Sequence, residues 1–444
     1  MRPPSPKRGF PGKLFLSLTR RPLEFLTGLA REHGDVVMLR LGPQPIVLVN
    51  DPDRIRDVLV THAKQFKKGR GLERAKALLG EGLLTSEGEF HLRQRRLAQP
   101  AFHRERIAAY GATMGAYASR RISRWRDGQT LDISKEMAGY TLAVVGKTLF
   151  DADIEGEAPE IGEALSAALS VFTFTMIPFG TALMWLPIPA AQRFRRGRKR
   201  LDSTIYRLIA ERRASGEDRG DLLSMLLLAH DTEGDGSGMS DLQLRDEAMT
   251  IFLAGHETTA NALTWTFYLL SQNPEAEARL HAELDALGDG ELGADDVARL
   301  PYTRAVVAES MRLYPPAYVV GRRALDDYQI NGFTIPARSI ILMSQWVAHR
   351  DPRWWPDAES FTPERWLPGG SANDAARPKF SYFPFGAGTR VCIGEQFAWL
   401  EAILALATMA RRWRLELAPG ERAERQPIVV LRAKGGMRMI THAR

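Results

Sequence analysis

The chain has 444 residues, 44% of them hydrophobic and 25% charged, with a formal net charge of +7 and a single cysteine, Cys392. That balance excludes a disordered chain, and one thiol excludes an internal disulfide while agreeing with a reducing compartment. No Gly/Ser-rich or Pro-rich linker and no internal repeat divides the sequence, so one domain over residues 1–444 is expected.

The chain opens Met1-Arg-Pro-Pro-Ser-Pro-Lys-Arg8, and residues 1–10 are expected to be flexible. The apolar run Leu14 to Leu18 that follows is too short for a spanning helix or an ordinary secretory core. An Arg-rich, acid-poor start also fits a mitochondrial presequence, but a cytoplasmic protein is the reading adopted. Alternating apolar residues from Val36 to Val49, followed by Asn50-Asp51-Pro52, predict a β-hairpin and a turn. In the segment Gly88 to Phe102, His91 and Arg95 fall one helical turn apart, a spacing that an exposed charged helix would also show.

Ala164 to Gln192 carries no charge and is long enough to cross a bilayer, yet Pro178, Gly180, Pro187 and Pro189 argue against one continuous helix. An apolar helix followed by a loop is predicted there. The basic run Arg193-Phe-Arg-Arg-Gly-Arg-Lys-Arg200 admits a nucleic-acid reading. It leads into a segment with apolar residues at Leu201, Ile205, Leu208 and Ile209, however, and a solvated helix face is the better one, with no nucleic-acid partner.

A short flexible stretch is expected at Glu233 to Ser240. Ser240-Asp-Leu-Gln243 then forms a capping box, and Asn273-Pro274 ends a helix roughly 50 Å long. Near its middle stands Ala254-Gly-His-Glu-Thr-Thr-Ala260. A mid-helix glycine costs about 1 kcal/mol relative to alanine, and Gly255 beside an acid and two hydroxyls suggests close approach of something other than protein. Helix-interior threonine can also bond back to a carbonyl one turn earlier, opening room for water or a ligand. His256-Glu257 begins like the zinc-protease pattern His-Glu-x-x-His, but its fifth position is Ala260, so that reading fails; an ordinary buried helix remains the alternative.

Glu309-Ser-Met-Arg312 places an acid and a base at i and i+3 on a helix that stops before Pro315-Pro316, and Phe361-Thr-Pro-Glu-Arg-Trp366 adds Arg365. Alone, such a pair is weak evidence. The last motif is Phe385-Gly-Ala-Gly-Thr-Arg-Val-Cys-Ile-Gly394. Glycines around a lone thiol let backbone N–H groups approach the sulfur, and coordination to a metal removes the thiol proton outright. A buried, inert cysteine is the competing reading.

The pattern Phe-x-x-Gly-x-Arg-x-Cys-x-Gly resembles the haem-binding loop of the cytochrome P-450 superfamily, and the resemblance runs from about residue 10 to the C-terminus with its motifs in order. It implies a mainly α fold with small β-sheets, a triangular helical prism with haem between the family's I and L helices. Cys392 is then the axial thiolate of haem b iron, with Phe385 packed beside it, Gly388 and Gly394 on its two sides, and Arg390 on a propionate. His91 and Arg95 sit at the haem edge, and Arg322 reaches the other propionate, with adjacent Arg323 a one-residue ambiguity. Glu257 and Thr258 form the acid-alcohol pair that handles oxygen and its protons, while Glu309, Arg312 and Arg365 form a structural salt-bridge network.

The same resemblance implies a monooxygenase that inserts one atom of O2 into a lipophilic terpenoid, steroid, fatty acid or macrocycle, as in secondary metabolism. A peroxide-driven peroxygenase and a non-catalytic haem sensor are the alternatives. Electrons from NAD(P)H would arrive through a separate ferredoxin or flavodoxin and its reductase, docking on a monomer near Arg93, Arg96, Arg377 and Lys379. The segments expected to line the pocket supply Leu78, Leu79, Leu83, Phe172, Phe252, Ala254, Ala317, Val319, Ile428 and Val429. Phe174, Met176 and Phe179, beside Phe172, face either the same ligand or the core.

Overall fold

A hairpin near the N-terminus seeds the first of two units, residues 1–73 with 308–392; the second comprises residues 74–307 with 393–444. The computed structural model describes residues 1–6, 12–41, 44–153, 156, 158–169, 186–231 and 236–444, so Phe172, Phe174, Met176 and Phe179 lie outside the described residues.

In the first unit, Val36–Leu41 and Gln44–Val49 form the predicted antiparallel hairpin, with Val36 opposite Val49. It joins Ile340–Met343 in parallel, and that strand pairs with Val320–Ala324, which pairs with Phe66–Lys68. Val36, Val37, Met38 and Leu39 are all buried in succession, so both faces of this strand are covered and strict alternation gives way. The carbonyls of Met1 and Pro4 accept hydrogen bonds from Thr334 and Met38.

The second unit is helical around Asp241–Gln272, whose 32 residues span about 48 Å. Ser240 and Gln243 make the reciprocal capping box, and Pro274 starts the next helix. This long helix is buried nearly all round because helices pack it on more than one side: Thr141, on Ile133–Phe150, donates to the His256 carbonyl at 2.9 Å. Trp265, fully buried, donates to the Leu431 carbonyl at 2.9 Å and so ties the Arg425–Pro427/Leu431–Ala433 hairpin to the same helix.

The basic run belongs to one 27-residue helix, Pro189–Ser215, with the proline at its first turn. Ala191, Phe194, Gly197, Leu201, Ile205 and Leu208 face inward, and Arg193, Arg195, Arg196, Arg198, Lys199 and Arg200 are exposed. The charge is therefore a solvated face. Among the described residues, no helix is long and apolar enough to cross a membrane.

Candidate active site

The cysteine loop is closed by its own backbone: the Cys392 N–H donates to the Phe385 carbonyl at 2.9 Å. Between them Gly388 has φ of 67°, and a Cβ there would stand 2.2 Å from the Leu59 carbonyl oxygen, so only glycine lets the loop rest on the Asp57–Thr61 turn. Gly394, with φ of −88° and room for a Cβ, is not required by backbone geometry. Cys392, which is in no disulfide, is exposed at the end of this closed loop. Arg390 stands on the turn just before it, in Gly388–Arg390.

Behind the loop lies a buried polar network. Glu309, with no exposure, accepts from Arg312 Nε and Nη2 at 2.8 Å each, from the Thr362 amide at 3.0 Å, from Arg365 Nε at 3.2 Å and from Trp366 Nε1 at 2.9 Å. Arg312 continues to the carbonyls of His349 at 2.8 Å, Ala358 at 2.7 Å and Ser360 at 3.0 Å. The Phe383 amide donates to His349 Nε2 at 3.0 Å, which carries the network to within two residues of Phe385.

Two adjacent arginines are separated by the strand's alternation. Arg323 pairs with Glu73, while Arg322, on the opposite side of the strand, donates to the Gly321 carbonyl at 3.1 Å.

In the second unit, Thr258 donates to the Ala254 carbonyl at 2.8 Å, the back-bond expected of a helix-interior threonine. Ala254 is exposed and Thr258 partly so, one turn further along the same face. Glu257 is held by a group that its sequence surroundings do not announce: Arg432 Nε, on the Leu431–Ala433 strand, donates to its carboxylate. The Glu257 side chain is 9% exposed and that of Arg432 30%, so the arginine is the solvent-facing partner. His91 is buried, with Nδ1 3.3 Å from Ser86 Oγ, and Arg95 follows it by one turn on Gly88–Ala98.

Gly255 and the residues expected to line a pocket or a docking face fall as follows. Gly255 is approached by protein: a Cβ there would meet Val145 Cγ2 at 3.2 Å, so helix packing accounts for the glycine. Phe252 is buried against Phe150, ring centroids 5.6 Å apart, because two residues' rotation of about 200° turns it away from the Ala254 face. Leu78 and Leu79 are fully buried and Leu83 nearly so, whereas Ala317, Val319 and Val429 are partly exposed and Ile428 is exposed. Of the proposed electron-donor contacts, Arg96 and Arg93 both pair with the buried Asp231, at 3.0 and 3.5 Å. Arg377 donates to Ser381 Oγ at 2.7 Å and the Ala372 carbonyl at 2.6 Å, while Arg96 and Lys379 are the exposed two of the four.

Two buried histidines make the fold acid-sensitive. Burial, together with the charge of Arg432, lowers His256 from 6.5 to about 4; burial, with Arg312 and Arg350, lowers His349 well below 6.5. Each ring binds a proton more readily in the unfolded chain. Stability from these groups is complete above pH 6.5 and lost as pH falls, for His256 down to about 4, at up to about 1.4 kcal/mol per pH unit per group. Urea midpoints measured at pH 7.5 and pH 5 are expected to drop toward acid, with a smaller drop in His256→Gln; an equal drop in the variant removes His256 from the account.

Among the described residues, no group of three or more His, Cys, Asp or Glu side chains is arranged to hold a metal ion. A donor set of one exposed sulfur on a glycine-cradled loop fits an iron whose other ligands would come from a macrocycle. Residues 3–438 match the protein family described as Cytochrome P450. The chain is 42% identical to cyclooctatin synthase of Streptomyces melanosporofaciens, over 97% of this chain and 93% of that protein. It is 41% identical to cyclooctat-9-en-7-ol 5-monooxygenase of the same organism, over 91% and 87%. Pentalenene oxygenase of Streptomyces avermitilis is 37% identical over 90% and 88%. Among solved structures, retinoic acid-bound cyanobacterial CYP120A1 superposes with a TM-score of 0.89 at 25% identity, covering 100% of this chain and 99% of that one.

Proposed function

Because this chain belongs to the cytochrome P450 family and is a haem monooxygenase, we propose that it hydroxylates or epoxidises a cyclic terpenoid, with Cys392 as the iron's thiolate ligand. The observation that carries the assignment of Cys392 is the backbone-closed loop that presents the chain's one thiol. Similarity to enzymes named for cyclooctat-9-en-7-ol and pentalenene supports the substrate class. A cysteine-ligated haem b would supply electron density that favours O–O cleavage, so that one oxygen atom enters the substrate and the other leaves as water with two electrons and two protons.

The chain's own residues bind, orient and move protons. Arg390, Arg322, His91 and Arg95 would hold the propionates, whose charge needs cationic or hydrogen-bonding partners in an apolar pocket. Thr258 spends its proton on the Ala254 carbonyl, which leaves its oxygen to accept a hydrogen bond from water. Glu257, released from Arg432, passes protons inward from solvent. Electrons would come from NAD(P)H by way of a ferredoxin or flavodoxin, with Lys379 on the docking face.

Arg432→Ala is expected to lower stability somewhat, since it leaves the 9% exposed Glu257 side chain without its partner, and to lower the yield of product per electron pair in the folded, haem-loaded fraction on the order of tenfold. Parallel measurement of NAD(P)H consumption and product checks it; unchanged coupling would show that the ion pair is only structural. The function itself is tested by titrating ferric protein with cyclooctat-9-en-7-ol and pentalenene, looking for the blue-shifted Soret band of displaced water, then supplying reductase, ferredoxin and O2. Product from these components, and none from peroxide alone, separates the monooxygenase from a peroxygenase and from a sensor.

A further inference from the structure

The first turns of the long helix carry two buried carboxylates that the chemistry does not use. Glu247, with no exposure, accepts from the Leu83 amide at 2.9 Å and from Gln94 Nε2 at 3.1 Å. Asp246, 5% exposed, accepts from the Glu81 amide at 2.7 Å and from Arg245 Nη1 at 2.8 Å, and Arg245 in turn bonds Asp202. Both carboxylates therefore grip backbone, not side chains, of the segment Gly80-Glu-Gly-Leu83.

Two glycines make this grip possible. Gly80 has φ of +60°, and a Cβ there would lie 2.0 Å from Asp246 Oδ2; at Gly82 it would lie 2.2 Å from Thr250 Oγ1 and 2.4 Å from the Asp246 carbonyl oxygen. The backbone is pressed onto the helix with no space for a side chain. Helical rotation of about 100° per residue puts Asp246, Glu247, Thr250, Ala254 and Thr258 within one stripe, and Ala254 stands only about 6 Å along the axis from Thr250. The clamped segment thus lies on the face that carries the exposed Ala254 and the Thr258 hydroxyl, immediately beside them.

We infer that Asp246 and Glu247 are positioning residues for substrate selection: they pin residues 80–83 to the helix so that Leu83 is held fixed beside the helix face that carries Ala254 and Thr258. The inference rests on the monooxygenase reading for the meaning of that face, but the clamp itself does not. Selectivity then depends on the backbone of a loop held from beneath, so a bulky ligand is refused by a wall that does not yield.

Three variants of the haem-loaded protein test this. Glu247→Leu leaves the Leu83 amide and Gln94 without their acceptor, and Glu247→Gln restores an acceptor once the Gln94 amide rotates. Gly82→Ala pushes the segment off the helix without altering either carboxylate. Hydrogen–deuterium exchange over residues 80–86 is expected to quicken at least tenfold in Glu247→Leu and Gly82→Ala, and to stay within twofold of wild type in Glu247→Gln. The ratio of dissociation constants for phenylimidazole and the bulkier biphenylimidazole, read from the Soret band, is expected to narrow at least fivefold in the first two and recover in the third. Wild-type exchange or a wild-type ratio in Gly82→Ala overturns the inference, even if Glu247→Leu fails to fold. A wild-type protein that turns over no terpenoid would sink the monooxygenase reading and leave the exchange comparison to decide the clamp.

Discussion

Cys392→Ala is expected to abolish the strongly red-shifted Soret band of the reduced carbon monoxide complex while leaving the fold in place. The loop around the cysteine is held by backbone: its closing bond uses the Cys392 amide, and its seat on the Asp57–Thr61 turn uses Gly388. Neither depends on sulfur. The thiol is exposed, so its replacement by a methyl group opens no cavity in the core and the substitution acts chiefly on the ligand. With a single cysteine in the sequence, no second thiolate can take its place. Reduced-carbon monoxide difference spectra, with far-ultraviolet circular dichroism as the control for folding, decide the matter. A variant that kept the red-shifted band would refute the assignment of Cys392. Gly388→Ala is the complementary case, because it keeps the sulfur but drives a Cβ into the Leu59 carbonyl, and it should lose haem while keeping most of its secondary structure.

Glu309→Ala is expected to prevent accumulation of haem-loaded protein at 37 °C. Five donors converge on this carboxylate, and its removal leaves the Arg312 guanidinium charged in a site with no exposure. Breaking a buried pair from one side costs about 3–5 kcal/mol, against a total stability of about 5–15 kcal/mol for an ordinary domain. Arg312→Lys should fare almost as badly, since an ammonium cannot reproduce the planar fork that reaches Glu309 and three carbonyls at once. The damage should be felt first at the cysteine loop, along Arg312, His349 and Phe383. Soluble yield and the ratio of haem to protein, after expression at 37 °C and at 18 °C, measure it. Full haem content in Glu309→Ala at the higher temperature would show that the network is dispensable.

Features confined to a few consecutive residues were legible before any coordinates. The Ser240/Gln243 capping box, the end of the helix at Pro274 and the Thr258 back-bond each depend on neighbours within about four residues, and the hairpin from Val36 to Val49 on a single short stretch of chain. Glu309 and Arg312 were legible as a pair, but alone an i, i+3 spacing does not say whether water or protein surrounds it. Arg432 was not legible as the partner of Glu257, because 175 residues separate them and nothing around Arg432 marks it. The same holds for Arg93 and Arg96, which pair with Asp231, more than a hundred residues away. Phe252 and Gly255 failed for a different reason. A helix buried nearly all round has no apolar stripe from which to tell its ligand face from its core face.

The sequence by itself determined the family, the glycine-bearing loop that presents the one cysteine, the back-bonded threonine and the limits of the main helix, because chain conformation and capping answer to local residues. Only the tertiary structure decided which charges are spent inside the protein: Arg432 on Glu257, Arg323 on Glu73, Asp231 on two arginines, and Asp246 and Glu247 on the backbone of residues 80–83. A buried charge must find a partner, and which partner it finds is set by the packing of segments far apart in the chain.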